Sequence, residues 1–346
     1  MINIISKSII SRKTSGPKKV VDNLIKGLDK IGYPYVVNAG LDATKRLWIH
    51  DDVNALKAIA TLDKDIRVIV GPNLFIMPRN ISTDIDISRA LYITPSDWTL
   101  RMWKDFGFNR CLIDVWPTGI DTEVHTPSTG GKNTVLIYFK QRFPEELKAV
   151  QDILDRKKIP YRFIIYGRYR HEDYVKMLES TRYIIWIGRQ ESQGIALEEA
   201  LAMNIPILIW DISKVGHWLT SKREMAYFIK QENDYTDTTT APYFDQTCGI
   251  KVQNMQEMVR ALDTMESSWH TYRPREFILH NLSLEKQARD FVDLYQKHFG
   301  LSYDDGLKEQ LLNDTQWKNG QWRFKIYRYL KDGAQEINYH WKSWKK

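Results

Sequence analysis

Short apolar runs and longer amphipathic stretches alternate along most of the chain. Asn3–Ser6, Tyr35–Val37, Leu47–His50, Val68–Val70, Leu91–Thr94 and Leu112–Val115 are compact apolar runs that predict buried strands. Helical patterns lie between several of them. The clearest is Val20, Val21, Leu24, Ile25, Leu28 and Ile31, opened by Pro17 and closed by Gly32. This is the rhythm of an open, mostly parallel sheet. It breaks at residues 117–132, PTGIDTEVHTPSTGGK, a Pro/Gly/Thr-rich stretch that reads as a linker. It resumes with Val135–Tyr138, Phe163–Tyr166, Tyr183–Ile187 and Ile207–Trp210. The pattern predicts an α/β protein of two Rossmann-like, doubly wound domains facing a cleft, over residues 1–125 and 126–300. It contains no short-period repeat.

The last helix of the second unit is predicted at Leu284–Phe299. Ser283 is its cap, Glu285 suits its positive end, and Leu284, Ala288, Phe291 and Tyr295 form one apolar stripe before Gly300. Residues 301–346 form a separate aromatic, basic extension, with nine Lys/Arg against six Asp/Glu. Asn319-Gly320 between Trp317 and Trp322 is a type I′ hairpin signal, and Asp332-Gly333 offers a second turn. A small β-meander follows, with Trp322, Phe324 and Ile326 on one face and Tyr327 and Tyr329 on the other. Such a tail suits a lid or a subunit contact, with acceptor glycan or an anionic membrane surface as the alternatives.

Composition narrows the class without choosing the activity. With 43% hydrophobic and 27% charged residues the 346-residue chain is globular, long enough for two domains. No apolar stretch approaches the roughly 20 residues that span a bilayer. The N-terminal run reads as a first strand, not a signal peptide, and Cys111 and Cys248 read as free thiols of a reducing compartment, so the expected location is cytoplasmic, with peripheral membrane association if the tail binds lipid. A formal charge of +7 suits nucleic acid, anionic membrane and nucleotide-sugar phosphates alike.

Residues 191–211, ESQGIALEEALAMNIPILIWD, carry the most chemistry. A strand leads into Glu191, a turn at Gly194 follows, and a helical run from Ile195 to Met203 precedes a buried strand at Ile205-Pro206. Glu191 sits in the loop, and Glu199 lies about one turn inside the helix. The peptide N–H groups of Gln193, Gly194 and Ile195 fall at the helix N-terminus, where free donors and the dipole favour an anion such as a diphosphate. One acid then faces a sugar and the other a ribose. A bland amphipathic helix with two solvated acids is the alternative for this stretch.

The segment resembles the E-x7-E signature of retaining GT-B glycosyltransferases, family 4 and its relatives. Gln193 stands where those enzymes usually have Phe, Ile195 for Leu, and Asn204 for a later Gly. A second segment, Trp116-Pro-Thr-Gly-Ile-Asp-Thr-Glu123, resembles the family's entry into its second domain and lies about 75 residues upstream. Weaker matches come from Gly71-Pro72-Asn73, Pro95-Ser96 and Asp245-x-x-Cys-Gly-Ile250. The resemblance covers about residues 1–298 and implies the GT-B fold, a nucleotide-diphosphate sugar as donor and a late helix that crosses back to the first domain.

It also implies roles. Lys140 and Arg142, after the strand Val135–Tyr138, would neutralise the leaving diphosphate, with Lys148 as a substitute; two cations in place of a metal agree with the lack of an Asp-x-Asp motif in a supporting context. Gly16, in Lys13-Thr-Ser-Gly16-Pro17, would offer peptide groups to the phosphates. Gly167 and Arg168 would lie near the base, Glu199 on the ribose, and Glu191 on the donor sugar. In place of the usual His, Asn73 would contact the sugar, with His50 at a neighbouring strand end. Otherwise these residues are solvated charges, and a lone His there is more often structural. The expected activity is metal-independent transfer of a hexose from a UDP- or GDP-sugar to a glycan or lipid-linked acceptor, with retention. The alternatives are a nucleotide-sugar epimerase of the same fold, for which no clear set of extra acids stands out, and a nucleic-acid-binding protein, for which no recognition motif stands out.

Overall fold

The computed structural model describes residues 1–11, 15–218 and 228–318, those from 311 onward by backbone alone. Strands β1 Ile2–Ile5, β2 Tyr35–Val37, β3 Arg46–Ile49, β4 Arg67–Val70, β5 Ala90–Thr94 and β6 Leu112–Val115 form a parallel sheet in the order β2-β1-β3-β4-β5-β6. Strands β7 Thr134–Lys140, β8 Tyr161–Ile165, β9 Thr181–Gly188, β10 Ile207–Trp210 and β11 Gly249–Val252 form a second parallel sheet, ordered β11-β10-β9-β7-β8. In each sheet the winding reverses beside its first strand, between β1 and β3 and between β7 and β9. Ligands of open α/β sheets bind outside the carboxyl ends of strands at such switch points. The ends of β1, β3, β7 and β9 are therefore where chemistry is to be sought.

The elements form for the reasons the pattern suggested. Helix Gly16–Lys30 is capped by Ser15, whose side chain accepts from the Lys18 N–H at 3.3 Å, and it buries Val20, Val21, Leu24 and Leu28. Gly32 follows at φ +66°, a conformation that favours glycine. Asn204, where the resembling family has glycine, adopts φ +56°; asparagine is one of the few side chains that enters this region readily. Strand β11 is the element the pattern missed. Gly249 and the exposed Lys251 interrupt its apolar run, and a side chain at 249 would collide with the Ile207 backbone of β10.

Helix Leu284–Phe299 holds the two halves together. Ser283 caps it, accepting from the Lys286 N–H at 3.4 Å, and Gly300 ends it at φ +69°. Ala288, Phe291, Val292 and Tyr295 are buried in the first half's core with Ile2, Val21, Trp48 and Trp116. Phe291 meets the rings of Trp48 and Trp116 edge-on at 5.0 and 4.8 Å between centroids. The linker runs beneath the start of this helix. Ile120 N–H donates to the Leu282 carbonyl at 2.7 Å, and Asn23 of the first helix donates to the Gly119 carbonyl at 2.7 Å.

Residues Tyr303–Lys318 form a further helix, so Trp317 and Lys318 end a helix instead of opening a strand. The Asn319-Gly320 turn, the Asp332-Gly333 turn and the expected β-meander of the aromatic extension lie outside the described residues. Among the described residues no helix is long and apolar enough to cross a membrane.

A methyl group at Gly119 would lie 2.7 Å from the Leu284 Cα and 2.9 Å from the Ser283 carbonyl oxygen, both backbone atoms that cannot turn away. Gly119→Ala is therefore expected to destabilise the chain by about 1–3 kcal/mol, read as a lower urea midpoint; an unchanged midpoint would show that the linker moves freely under the helix.

Candidate functional site

A cleft of about 700 Å³ opens between the carboxyl edges of the two sheets. Its floor is the stacked pair Tyr138 and Trp186, which face each other across β7 and β9 with rings 3.8 Å apart and nearly parallel. From the first half it is lined by Gly16, Lys19 and Asn73, and from the second by Lys140, Gly167, Glu191 and residues 193–195. The volume is that of an ordinary small-molecule site.

The Glu191 loop is pinned from both sides. Its N–H donates to the Thr239 carbonyl at 3.2 Å, and its carbonyl accepts from the indole N–H of Trp98, in the first half, at 2.9 Å. Gly194 then turns at φ +101°, ψ 39°, which a residue with a Cβ adopts only with strain, and helix Ile195–Ala202 begins. The peptide N–H groups of Gln193, Gly194 and Ile195 donate to no acceptor among the described residues. They are the free donors of a helix start, in residues that line the cleft. Gly16 opens the first helix on the facing wall; a Cβ there would meet nothing within 4 Å, so its role in the fold is not steric.

Both acids of the E-x7-E pair are near this turn, each matched with a lysine. The Lys140 ammonium lies 2.5 Å from Glu191 Oε1 and over the Tyr166 ring at 4.3 Å. Glu199, 3% exposed, is paired with Lys19 of the first half and has His125 Nε2 at 3.5 Å from Oε1 and His171 Nε2 at 3.9 Å from Oε2. Burial alone would raise its pKa; hydrogen bonding and charge from His125 and Lys19 outweigh it and hold the carboxyl below its ordinary value. Burial lowers the pKa of His171, with Glu199 opposing. Glu199 faces a smaller side pocket, joined to the cleft at Lys19 and His171. Its Oε2 is buried with no hydrogen-bond partner, so a hydroxyl donor arriving there would find an unused acceptor. His125, His171 and Glu199 are also the group among the described residues that could hold a metal ion, each offering one ligand atom within 4.8 Å of the others. Lys19 places an ammonium on the same carboxylate, which disfavours a cation.

Four of the expected residues lie elsewhere. Arg142 is fully buried and does not line the cleft: it binds Glu146 through two nitrogens, and its Nη1 donates to the carbonyls of Gly188 and Trp210 at 3.0 Å each. Its charge is consumed inside the second half, and Lys148, exposed and paired with Asp152, is no substitute. His50 is also fully buried. Ser6 Oγ lies 3.2 Å from Nδ1, and Nε2 lies 2.8 Å from Asn73 Oδ1. Burial depresses its pKa, so the imidazole is neutral and its hydrogen bond orients the Asn73 amide, which does face the cleft. Arg168 is exposed outside the cleft lining, whereas its neighbours Tyr166, Gly167 and Tyr169 belong to it.

Gln193 contributes its peptide to the cleft wall but spends its side chain inward. Its Nε2 donates to the Thr118 carbonyl at 2.9 Å and to Glu198 Oε2 at 2.9 Å, while its Oε1 accepts from the Thr118 N–H at 3.0 Å. Glu198 is completely buried, and desolvation pushes its pKa well up, with Gln193 opposing. Sequence reasoning missed Lys19, Trp98, His125, His171, Glu198 and Arg189. Lys19 lies on the first helix close after Gly16, and Arg189 directly follows β9; those positions at a helix start and a strand end were the available signals.

No protein-family model matches the chain, and no curated protein matches it. Solved structures do. Sucrose-phosphate synthase from Thermosynechococcus elongatus superposes with a TM-score of 0.54 at 10% identity, over 87% of this chain and 99% of that one. Anabaena HepE in complex with UDP and glucose matches with a TM-score of 0.50 at 11% identity, over 85% and 99%. The lipopolysaccharide outer core galactosyltransferase WaaB, in its apo form, matches with a TM-score of 0.50 at 14% identity, over 86% and 99%. The chain has the GT-B fold, as the motif resemblance implied.

Glu198 supplies a pH test. Below the ordinary glutamate range both folded and unfolded chains hold its proton; above it only the unfolded chain releases the proton, so stability falls as pH rises until the folded acid also ionises. Glu198→Gln keeps the shape and abolishes this loss. Its melting temperature is expected to gain on the parent's progressively as pH rises above the ordinary glutamate range. Parallel melting profiles would show that Glu198 is charged in the fold.

Proposed function

We infer that the chain is a glycosyltransferase that moves a hexose from a UDP- or GDP-sugar to a hydroxyl of a glycan or lipid-linked acceptor, with retention and without a metal ion. The observation that carries this reading is the arrangement at residues 191–199: free peptide donors at a helix start, Glu191 and Lys140 opening on the cleft at the sheets' switch points, and Glu199 in the side pocket next to it. A diphosphate suits the peptide donors and the ammonium. The base lies towards Tyr166 and Gly167, the ribose hydroxyls take the unused Oε2 of Glu199, and the sugar extends past Glu191 to the amide of Asn73. In the reaction the bond from the anomeric carbon to the diphosphate breaks and one to the acceptor oxygen forms. The acceptor proton leaves on a donor phosphate oxygen, so Glu191 acts by orienting the sugar rather than as a base.

The fold neighbours agree with this class: by name one is a synthase of sucrose phosphate, one a galactosyltransferase, and one holds UDP and glucose. Freedom from metal is supported by the charges, since Lys19 and Lys140 already neutralise the acids that would hold a cation. Retention rests on the E-x7-E resemblance. An epimerase would need acids free to move a sugar proton, and the cleft acid Glu191 is paired.

Calorimetry decides the donor. UDP or GDP is expected to bind, Glu199→Ala to weaken it by about 10–100-fold, and Lys140→Ala to lower turnover of the matching donor by about 100–1,000-fold. Activity is expected to persist in EDTA. Absence of binding by either nucleotide, with Glu199→Ala indistinguishable from the parent, would remove the reading.

A further inference from the structure

One cleft cation is not accounted for by a diphosphate site. Lys19 and Lys140 are each paired with an acid, but the guanidinium of Arg189 makes no hydrogen bond or ion pair among the described residues. It lines the cleft, its Nε is buried without a partner, and it lies 4.8 Å over the Trp218 ring. An unmatched, partly buried guanidinium is costly to keep unless something binds it.

Its direction separates it from the diphosphate. Lys140 and Arg189 end neighbouring strands, joined by a bond from the Arg189 N–H to the Lys140 carbonyl at 3.1 Å. From there they diverge. Lys140 leans on Tyr166, which follows β8, whereas Arg189 leans on Trp218, in the segment after β10. Strands β8 and β10 lie on opposite sides of the β7–β9 pair. The two cations therefore mark two anion positions, and the second is away from the nucleotide end of the cleft. Phe75, Trp98, Trp103 and Phe228 line the same cavity, giving flat apolar walls suited to a sugar ring.

We propose that Arg189 forms a second anion subsite, which holds the carboxylate or phosphate of an acidic sugar while Trp218 backs the guanidinium. A planar guanidinium resting on an indole presents its N–H edge to a carboxylate or phosphate in the bidentate manner a lysine lacks. The proposal rests on the glycosyltransferase reading for its location at the sugar end of the cleft. The acid can stand on the acceptor or on the transferred sugar, and both have the same chemistry at Arg189.

The full chain would be titrated calorimetrically with UDP and GDP, then with D-glucuronate, glucose 6-phosphate and glucose, with and without nucleotide. UDP-glucuronate would be compared with UDP-glucose in parallel. An acidic probe is expected to bind at least about tenfold more tightly than its neutral counterpart, with Arg189→Gln bringing the ratio near one and Arg189→Lys keeping part of it. A preference among free sugars puts the acid on the acceptor; one among the UDP-sugars puts it on the donor. Acidic and neutral probes binding alike overturns the proposal, as does an acidic preference that survives Arg189→Gln. So does Arg189→Gln weakening UDP itself without changing the acidic preference, since Arg189 would then belong to the diphosphate. Failure of both nucleotides to bind the parent would remove the glycosyltransferase reading alone, because the free-sugar titrations without nucleotide still decide Arg189.

Discussion

The carboxamide of Gln193 holds the peptide of Thr118 from both sides, and the geometry of the cleft depends on that clamp. It joins the helix start that offers free peptide donors to the linker between the halves. The linker is in turn fixed to the first half through Asn23 and, through Leu282, to the segment that leads into the late helix. A GT-B architecture has to keep two sheet edges facing each other across an open space, with few contacts available in the space itself. Here the alignment is set below the cleft, by buried hydrogen bonds whose loss would strand peptide groups away from water. Phe, the residue the resembling family usually has at this position, could fill space but could not grip a peptide. The neighbouring Glu198 is the second half of the exchange: held neutral by burial, it accepts the remaining Gln193 N–H.

The same economy governs the charges. Each acid of the E-x7-E pair meets a lysine, one from its own half and one from the other. Lys19 reaching Glu199 makes this acid an interdomain contact as well as a candidate ligand for hydroxyl groups. Neutralising both acids leaves the peptide donors and Arg189 as uncompensated positive features of the cleft among the described residues, which matters more to an anionic ligand than a net charge of +7 spread over the surface.

Much of this was legible in order and little of it in depth. Strand Ile207–Trp210 and helix Leu284–Phe299 coincide with their apolar runs because the one is buried over most of its length and the other carries one clean stripe; Tyr35–Val37 and Leu112–Val115 also coincide with theirs, but as edge strands they are only partly buried. Strand β11 was not readable, since an edge strand with glycine and lysine has no such run. For the site, the turn at Gly194 and its two acids could be placed from the chain alone, as strand, turn and helix are consecutive there. Which way a side chain points could not. His50 and Arg142 both follow strand ends and carry suitable chemistry, yet one turns back onto Asn73 and the other passes beneath the sheet edge. Arg189, equally placed after a strand, points the useful way. Partners such as His125, in the linker, meet Glu199 only through the fold.

Arg142 shows how a residue can be misassigned in role and still matter to the same chemistry. Its carboxylate partner Glu146 is held at a pKa of about 2, against its own burial, by His217 and Arg142. The pair is therefore ionised, and the remaining guanidinium N–H groups grip the carbonyls of Gly188 and Trp210. Those carbonyls are the last peptides of β9 and β10, and the Gly188 peptide leads directly into Arg189. Removing one partner of such a buried pair leaves the other uncompensated, at a cost of about 3–5 kcal/mol. It would also release the strand end from which Arg189 and, two residues on, Glu191 project. The sheet edge is thus braced from behind by one arginine so that another can be presented in front, and Arg142 serves the cleft as a positioning residue rather than a ligand.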